Sequence, residues 1–298
     1  MVDLDRAEQF MATHARIIDR RRLDVVLHRA QPGAALDALR GYRNADGGFG
    51  WGLEPDLRSP SSQPAGALHA LEVCEEAGPA RTPLAAEICD WLASISLPGG
   101  GLPFSVAGTA SPGTAPWWGQ ADPTEPSLHI TSAICAAAHR IAARDAAVAA
   151  HPWLRESTAF CLARIAERRE QGPAMELRYV LQLLDALADD DPAAARELAR
   201  VAAFVPASGE LPVAGGTSDE KMRPLDFSPL PGRPLRAHLD PGVVERDLER
   251  LAAGQRADGG WAPDWVASSP AAELEWRGVV TVHALTLLHA NGVLALTD

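Results

Sequence analysis

The chain has 298 residues, with 27 basic against 39 acidic side chains and a formal charge of −12. That balance argues against nonspecific attraction to nucleic acid or anionic lipid. No apolar run reaches the ~20 residues that cross a bilayer, and Met1-Val-Asp-Leu-Asp carries acids where a signal peptide carries bases. The expectation is a cytoplasmic protein with no membrane span and no nucleic-acid partner.

Phe10, Met11, His14, Ile17 and Ile18 recur at helical spacing and predict one amphipathic helix from Asp5 onward. Pro32-Gly33 interrupts it, and Ala35 to Tyr42 predicts a helix running into Arg43-Asn-Ala-Asp-Gly-Gly-Phe49. Those glycines permit positive φ and let the aromatic fold beneath the turn. An extended stretch over 51–60 carries Trp51, Glu54 and Asp56, and Ser61-Ser-Gln-Pro64 reads as an N-cap with a first-turn proline. The helix it opens, Ala65 to Ala77, is Ala-rich and interrupted by His69, Glu72, Glu75 and Glu76, as suits a helix packed on several sides.

The same order then recurs. Helix Leu84 to Ser96 leads to Pro98-Gly-Gly-Gly-Leu-Pro-Phe104, a linker with Trp117-Trp118, and Pro123-Thr-Glu-Pro126 opening helix Ser127 to Arg144. Helix Glu156 to Glu170 leads through Gly172-Pro173 to helix Ala174 to Ala188, which Asp189-Asp-Asp-Pro192 ends as a solvated stop. Helix Ala193 to Phe204 leads to Gly209-Glu-Leu-Pro-Val213 and a Pro/Gly-rich excursion over 215–241, read as an insertion or lid. Helix Gly242 to Gly254 meets Gln255-Arg-Ala-Asp-Gly-Gly-Trp261, and Ser268-Ser-Pro270 starts helix Ala271 to Ala290.

A unit of helix, Gly-rich turn, connector and helix thus repeats about five times. The expected fold is all-α: one domain over 1–298 in which helix pairs close into an α/α toroid of inner and outer helices. The helix after each connector belongs to the inner ring, so helix N-termini surround one end of a central cavity and favour anionic ligand groups. Cys74, Cys89, Cys135 and Cys161 are widely spaced in apolar segments and are expected to be buried free thiols.

Gln255-x-x-x-Gly259-x-Trp261 matches the Gln-Trp repeat motif of squalene/hopene cyclases, and Asp-Gly-Gly-aromatic turns also occur in protein prenyltransferase β subunits. The chain therefore resembles the terpenoid cyclase/prenyltransferase-type α/α toroid over most of residues 35 to 290. The C-terminal match is full, Gly47-Gly48-Phe49 is degenerate, and Gly101-Leu-Pro-Phe104 and Gly209-Glu-Leu-Pro-Val213 are echoes. In that family the motif is structural. The Asp-x-Asp-Asp acid of class II cyclases and the Asp-x-Cys zinc pair of prenyltransferases are both absent from this sequence.

The proton donor is expected among five carboxylates. Glu54 and Asp56 flank Pro55 on the first connector, where burial splits the pKa values of such a pair; the alternative is capping or pairing with Arg43 and Arg58. Glu125 forms an i, i+4 pair with His129 beside Asp122. Glu176 lies i, i+3 from Tyr179 and needs a partner such as Arg178. Glu275 adjoins Trp276 in the last inner helix, where Glu273 and Arg277 are spaced as a surface pair.

Gln63, His69, Trp51, Trp117, Trp118, Asp226 and Arg277 complete the expected ligand-binding set; the 215–241 segment carries Lys221, Arg223, Asp226, Arg233, Arg236 and His238 and reads either as a lid supplying basic groups to a phosphate or carboxylate or as a packed surface loop. The resemblance and these residues imply an enzyme that binds an apolar, isoprenoid-type small molecule and performs acid/base isomerisation, cyclisation or elimination. No cofactor or metal is predicted, and Mg2+ enters only if the substrate is a diphosphate. The alternatives are a noncatalytic ligand- or protein-binding toroid and a two-carboxylate carbohydrate-active α/α barrel.

Overall fold

The computed structural model describes residues 2–78, 82–109 and 111–295. Among them are fourteen α-helices and a single two-stranded ladder, so the architecture is all-α. The helices are α1 (Leu4–His14), α2 (Ile17–Val26), α3 (Gly33–Leu39), α4 (Pro64–Glu76), α5 (Leu84–Ile95), α6 (Pro116–Gln120) and α7 (Leu128–Ala142). They continue with α8 (Ala146–Ala149), α9 (Pro152–Glu167), α10 (Ala174–Leu187), α11 (Pro192–Ala202), α12 (Pro224–Phe227), α13 (Pro241–Ala253) and α14 (Pro270–Ala290). Strands β1 (Leu211–Pro212) and β2 (Lys221–Met222) pair antiparallel. None of the described helices is long and apolar enough to cross a membrane.

The first predicted helix is in fact two. Ala15 and Arg16 are extended, at ψ 155° and 156°, because the Arg16 guanidinium is drawn to the Gly52 and Leu53 carbonyls at 2.8 and 3.1 Å and to Asp19 at 2.7 Å. The break turns α2 relative to α1. Ile18 is buried, but Ile17, expected on the same apolar stripe, is 61% exposed. Two other expectations also change: Trp117 and Trp118 lie in the short helix α6 rather than a linker, and Gln63, not a serine, occupies the N-cap of α4 without a side-chain cap. Ser62 is taken instead by Asp46, at 2.7 Å.

Helix α2 packs on α14 and α4, α4 on α7, and α7 on α10; α10 meets α12, α12 meets α13, and α13 returns to α14. Helices α5, α9 and α11 pack against α4, α7 and α10 respectively. Between these layers Leu71, Ile88, Leu92, Ile134, Leu177, Leu181 and Leu184 are fully buried, each worth roughly 2 kcal/mol of hydrophobic burial. A second cluster joins Phe10, Met11, Leu23, Trp261, Leu285 and Leu288. The 215–241 excursion holds β2, α12 and a 3-10 turn over Pro234–His238, and it buries Phe227 and Leu235 completely. All four cysteines are buried and free.

The Gly-rich turns share one hydrogen-bond scheme. In the first, Gly47 N–H donates to the Asn44 carbonyl (3.1 Å), Asn44 N–H to Gly48 (2.9 Å), and Gly48 N–H to the Asp46 side chain (3.0 Å). In the last, Gly259 donates to Arg256 (2.9 Å), Arg256 to Gly260 (2.9 Å), and Gly260 to Asp258 (3.2 Å). Gly47 and Gly259 sit at φ +92° and +95°. The Gly99-Gly100-Gly101 turn repeats the first two bonds through Leu97, at 3.0 and 2.9 Å. The residue after each of two turns is held alike: Leu102 N–H donates to Thr131 Oγ1 and Trp261 N–H to Thr281 Oγ1, both at 2.9 Å.

Candidate functional site

The first connector folds inward because Leu53 and Leu57 are apolar and become buried, carrying the carboxylates between them. Glu54 and Asp56 are only 6% and 2% exposed. Their environments differ. Asp56 accepts hydrogen bonds from the Ser268 N–H and from Trp276 Nε1, both at 2.7 Å, so it ties the first connector to the start of α14. Glu54 Oε1 accepts a 3.3 Å bond from the Asp56 N–H, while Oε2 has no hydrogen-bond partner among the described residues. Burial pushes the Glu54 carboxyl above its ordinary range, and the nearby His69 only partly opposes this.

His69 stands on α4, one and a half turns from the Pro64 start, with Nε2 3.5 Å from Glu54 Oε2 and Nδ1 2.7 Å from Glu72 Oε2. Burial alone lowers an imidazole pKa, but Glu72 and Glu54 outweigh it and raise His69 to about 9. Glu72 moves the other way: burial favours its neutral form, yet His69, Arg22 and Arg178 bring it down to about 2. At neutral pH the pair is imidazolium and carboxylate. The ring of Trp276 meets His69 edge-on at 6.0 Å, and Trp265 meets Trp276 in the same way at 5.0 Å. Behind them, Arg22 grips Glu76 through two 2.7 Å bonds.

Helices α7 and α10 build a different wall. Trp118 stacks on Phe104 at 4.6 Å, Phe104 meets His129 at 5.3 Å, His129 stacks on Tyr179 at 5.2 Å, and the Arg178 guanidinium lies 5.0 Å from the Tyr179 ring centre. Burial and then Arg178 lower His129 to about 4, and the same two causes lead in lowering His283 of α14 to about 4. Burial raises the Tyr179 hydroxyl. Glu72 and Glu54 contribute to the field at Tyr179, and Glu72 to that at Arg178, so the two walls are electrostatic neighbours.

Several expected site residues are engaged elsewhere. Glu176 pairs with Arg168 at 2.7 Å rather than with Arg178. Glu275 is held by Arg58 at 2.6 Å, with Arg16 at 3.9 Å. Glu125 and Asp122 are exposed and precede α7, so the i, i+4 relation to His129 does not apply; Asp122 instead receives the Thr124 N–H at 2.8 Å. Arg277 bypasses Glu273 for Asp258 at 2.7 Å and lies 4.4 Å from the Phe10 ring centre, a clamp on the last turn. Trp51 and Trp117 are 59% and 47% exposed. Asp226 caps α12 through the Arg223 N–H at 2.8 Å, and Gln63 accepts from Val106 at 3.0 Å.

The structure thus brings together Glu54, His69, Trp276, Trp118, His129 and Tyr179 from the expected set and adds Glu72, Phe104, Arg178 and His283. The i, i+3 spacing of His69 and Glu72 on an Ala-rich helix was the available signal for Glu72. Nothing local to the sequence pairs Phe104 with Trp118. Among the described residues, no group of three or more His, Cys, Asp or Glu is disposed to hold a metal ion. Surface depressions of about 490 and 450 Å³ lie elsewhere, beside Arg233 and beside Cys74, and neither includes these residues.

No protein-family model matches the chain, and no curated protein does. A crystal structure of a protein from Actinoplanes is similar, with a TM-score of 0.55 and 15% identity, over 95% of this chain and 98% of that one. At that identity the likeness is one of fold.

Proposed function

We propose that the chain is an α/α toroid of the terpenoid cyclase/prenyltransferase type and an acid/base enzyme acting on a small molecule with a mainly apolar body. The cyclic succession of helix contacts and the recurring Gly-rich turns support the toroid reading. One observation carries the chemistry: the buried Glu54, with an unpartnered Oε2, faces an imidazole that Glu72 keeps charged.

In this reading Glu72 orients His69 through Nδ1 and stabilises the imidazolium, leaving the Nε2 proton for delivery. Glu54 accepts a proton from substrate carbon while His69 Nε2–H donates one to a second carbon, which is an isomerisation. Return of the proton from Glu54 to His69, across the 3.5 Å gap between them, restores the starting state. Trp276, oriented by Asp56, and the Phe104 wall supply apolar surface.

The test begins with mass spectrometry of the gently purified protein for a bound ligand. Thermal-shift and product assays with geranyl, farnesyl and geranylgeranyl diphosphates follow, with and without Mg2+. A product that Glu54→Gln abolishes without unfolding supports the enzyme reading. A bound ligand that no condition converts supports the second reading, a noncatalytic binding toroid, which is favoured by the ion pairs that occupy Glu176 and Glu275.

A further inference from the structure

Arg178 projects from α10 at the end of the aromatic wall, and its position is unlike that of the other interior arginines. Arg22 is locked onto Glu76 by two 2.7 Å bonds, and Arg16 onto Asp19 and two carbonyls. Among the described residues, Arg178 has no such partner. Its Nε is buried without a hydrogen-bond acceptor, and the guanidinium rests only against the Tyr179 ring. The carboxylates nearest in its field are committed elsewhere: Glu72 to His69, Asp226 to the Arg223 N–H, and Asp264 to the Arg223 guanidinium.

Arg178 is half-buried, and its buried Nε lacks an acceptor among the described residues; a planar oxyanion satisfies Nε and a terminal nitrogen of the fork together. The surroundings suit such a ligand. His129 and His283 are neutral neighbours and add no competing charge pair, while Phe104, His129 and Tyr179 present a run of stacked rings leading up to the guanidinium. A flat body laid along those rings puts its anionic end at Arg178.

We propose that Arg178 is the anchor for a carboxylate or phosphate on a ligand whose flat, unsaturated body lies against the edges of Tyr179, His129 and Phe104, whose faces are covered by one another, by Trp118 and by Arg178 itself. This rests on the acid/base reading, since the same ligand then presents its other side to Glu54 and His69.

Isothermal titration of the whole chain with benzoate, phenyl phosphate and neutral benzamide tests it. At least one of the two anions is expected to bind saturably, the preferred one identifying carboxylate or phosphate, and benzamide to bind at least roughly tenfold more weakly. Arg178→Gln should weaken the anion by a similar factor at unchanged melting temperature. Arg178→Lys, which keeps the charge but loses the fork, should fall between, and it decides the matter if the glutamine variant does not fold. His69→Gln should retain anion binding, so a failure of proton transfer and a failure of anchoring are read separately. Absence of saturable binding by both anions, or equal binding by benzamide, or unaltered affinity in the Arg178 variants would overturn the proposal.

Discussion

His69 and His129 are the same residue type on two helices that pack together, and they end in opposite charge states. His69 on α4 is raised to about 9 and His129 on α7 is lowered to about 4. Burial depresses both. The difference is made by what faces each ring: two glutamates at 2.7 and 3.5 Å for His69, and for His129 the stacked rings of Phe104 and Tyr179 with Arg178 beyond. One wall of the interior holds a charged imidazole between two glutamates; the other keeps a neutral one between aromatic rings.

The most damaging way to break this contrast is to remove the two proposed proton carriers. His69→Gln and Glu54→Gln are each expected to lower turnover roughly 10²- to 10⁴-fold while the circular dichroism spectrum is unchanged; near-wild-type rates in both would remove the acid/base role.

The contrast also predicts the shape of stability against pH. His69 has a folded pKa of about 9, above the unfolded value of about 6.5. Its contribution is fully present below about pH 6.5 and is lost as pH rises through 9, worth at most about 3 kcal/mol. His129 and His283 are depressed to about 4, so the unfolded chain binds more protons between roughly pH 6.5 and 4 and stability falls as pH falls through that window. Melting temperature should therefore peak near pH 6.5 and decline on both sides, and His69→Gln should flatten the alkaline limb.

Glu72→Gln sharpens the cause. Loss of that carboxylate should cost about 1–3 kcal/mol and drop the His69 midpoint, followed by its ring-proton shift in NMR, by at least roughly one unit. An unmoved midpoint would assign the shift to Glu54 instead. The smallest effect is expected at the neutral wall: His129→Phe keeps the stack and forfeits no hydrogen bond within the described residues, so stability should change by less than about 1 kcal/mol, with a shallower acid limb in the same melts.

Much of the helical framework was legible. Proline starts at α4 and α14 and a glycine stop at α13 were read directly, as at Ser269-Pro270 before α14, where Ser269 caps the Ala272 N–H. The Gln255 turn was legible because its side chain is used locally, donating to the Gly259 carbonyl at 2.9 Å. The equivalent turn at Gly100 was only an echo, because the bonds within it are backbone and the side chains that reach it, Ser157 and Thr131, come from other helices. The break between α1 and α2 was invisible, since what stabilises it are carbonyls of Gly52 and Leu53, more than thirty residues away in the chain.

By itself the sequence determined most of the long helices, through periodicity, caps and turn glycines, and it brought Glu54 and Asp56 within two residues of each other. Only the tertiary structure decided which of the two is a satisfied strut and which has an oxygen with no hydrogen bond among the described residues, facing His69 alone: Asp56 is spent on Ser268 and Trp276, over two hundred residues away. The same holds for Glu275, paired with Arg58, and for Arg178, whose buried Nε packing leaves without an acceptor among the described residues. Charge state and chemical availability depend on distances of a few ångströms between helices, and sequence spacing fixes such distances only within one helix.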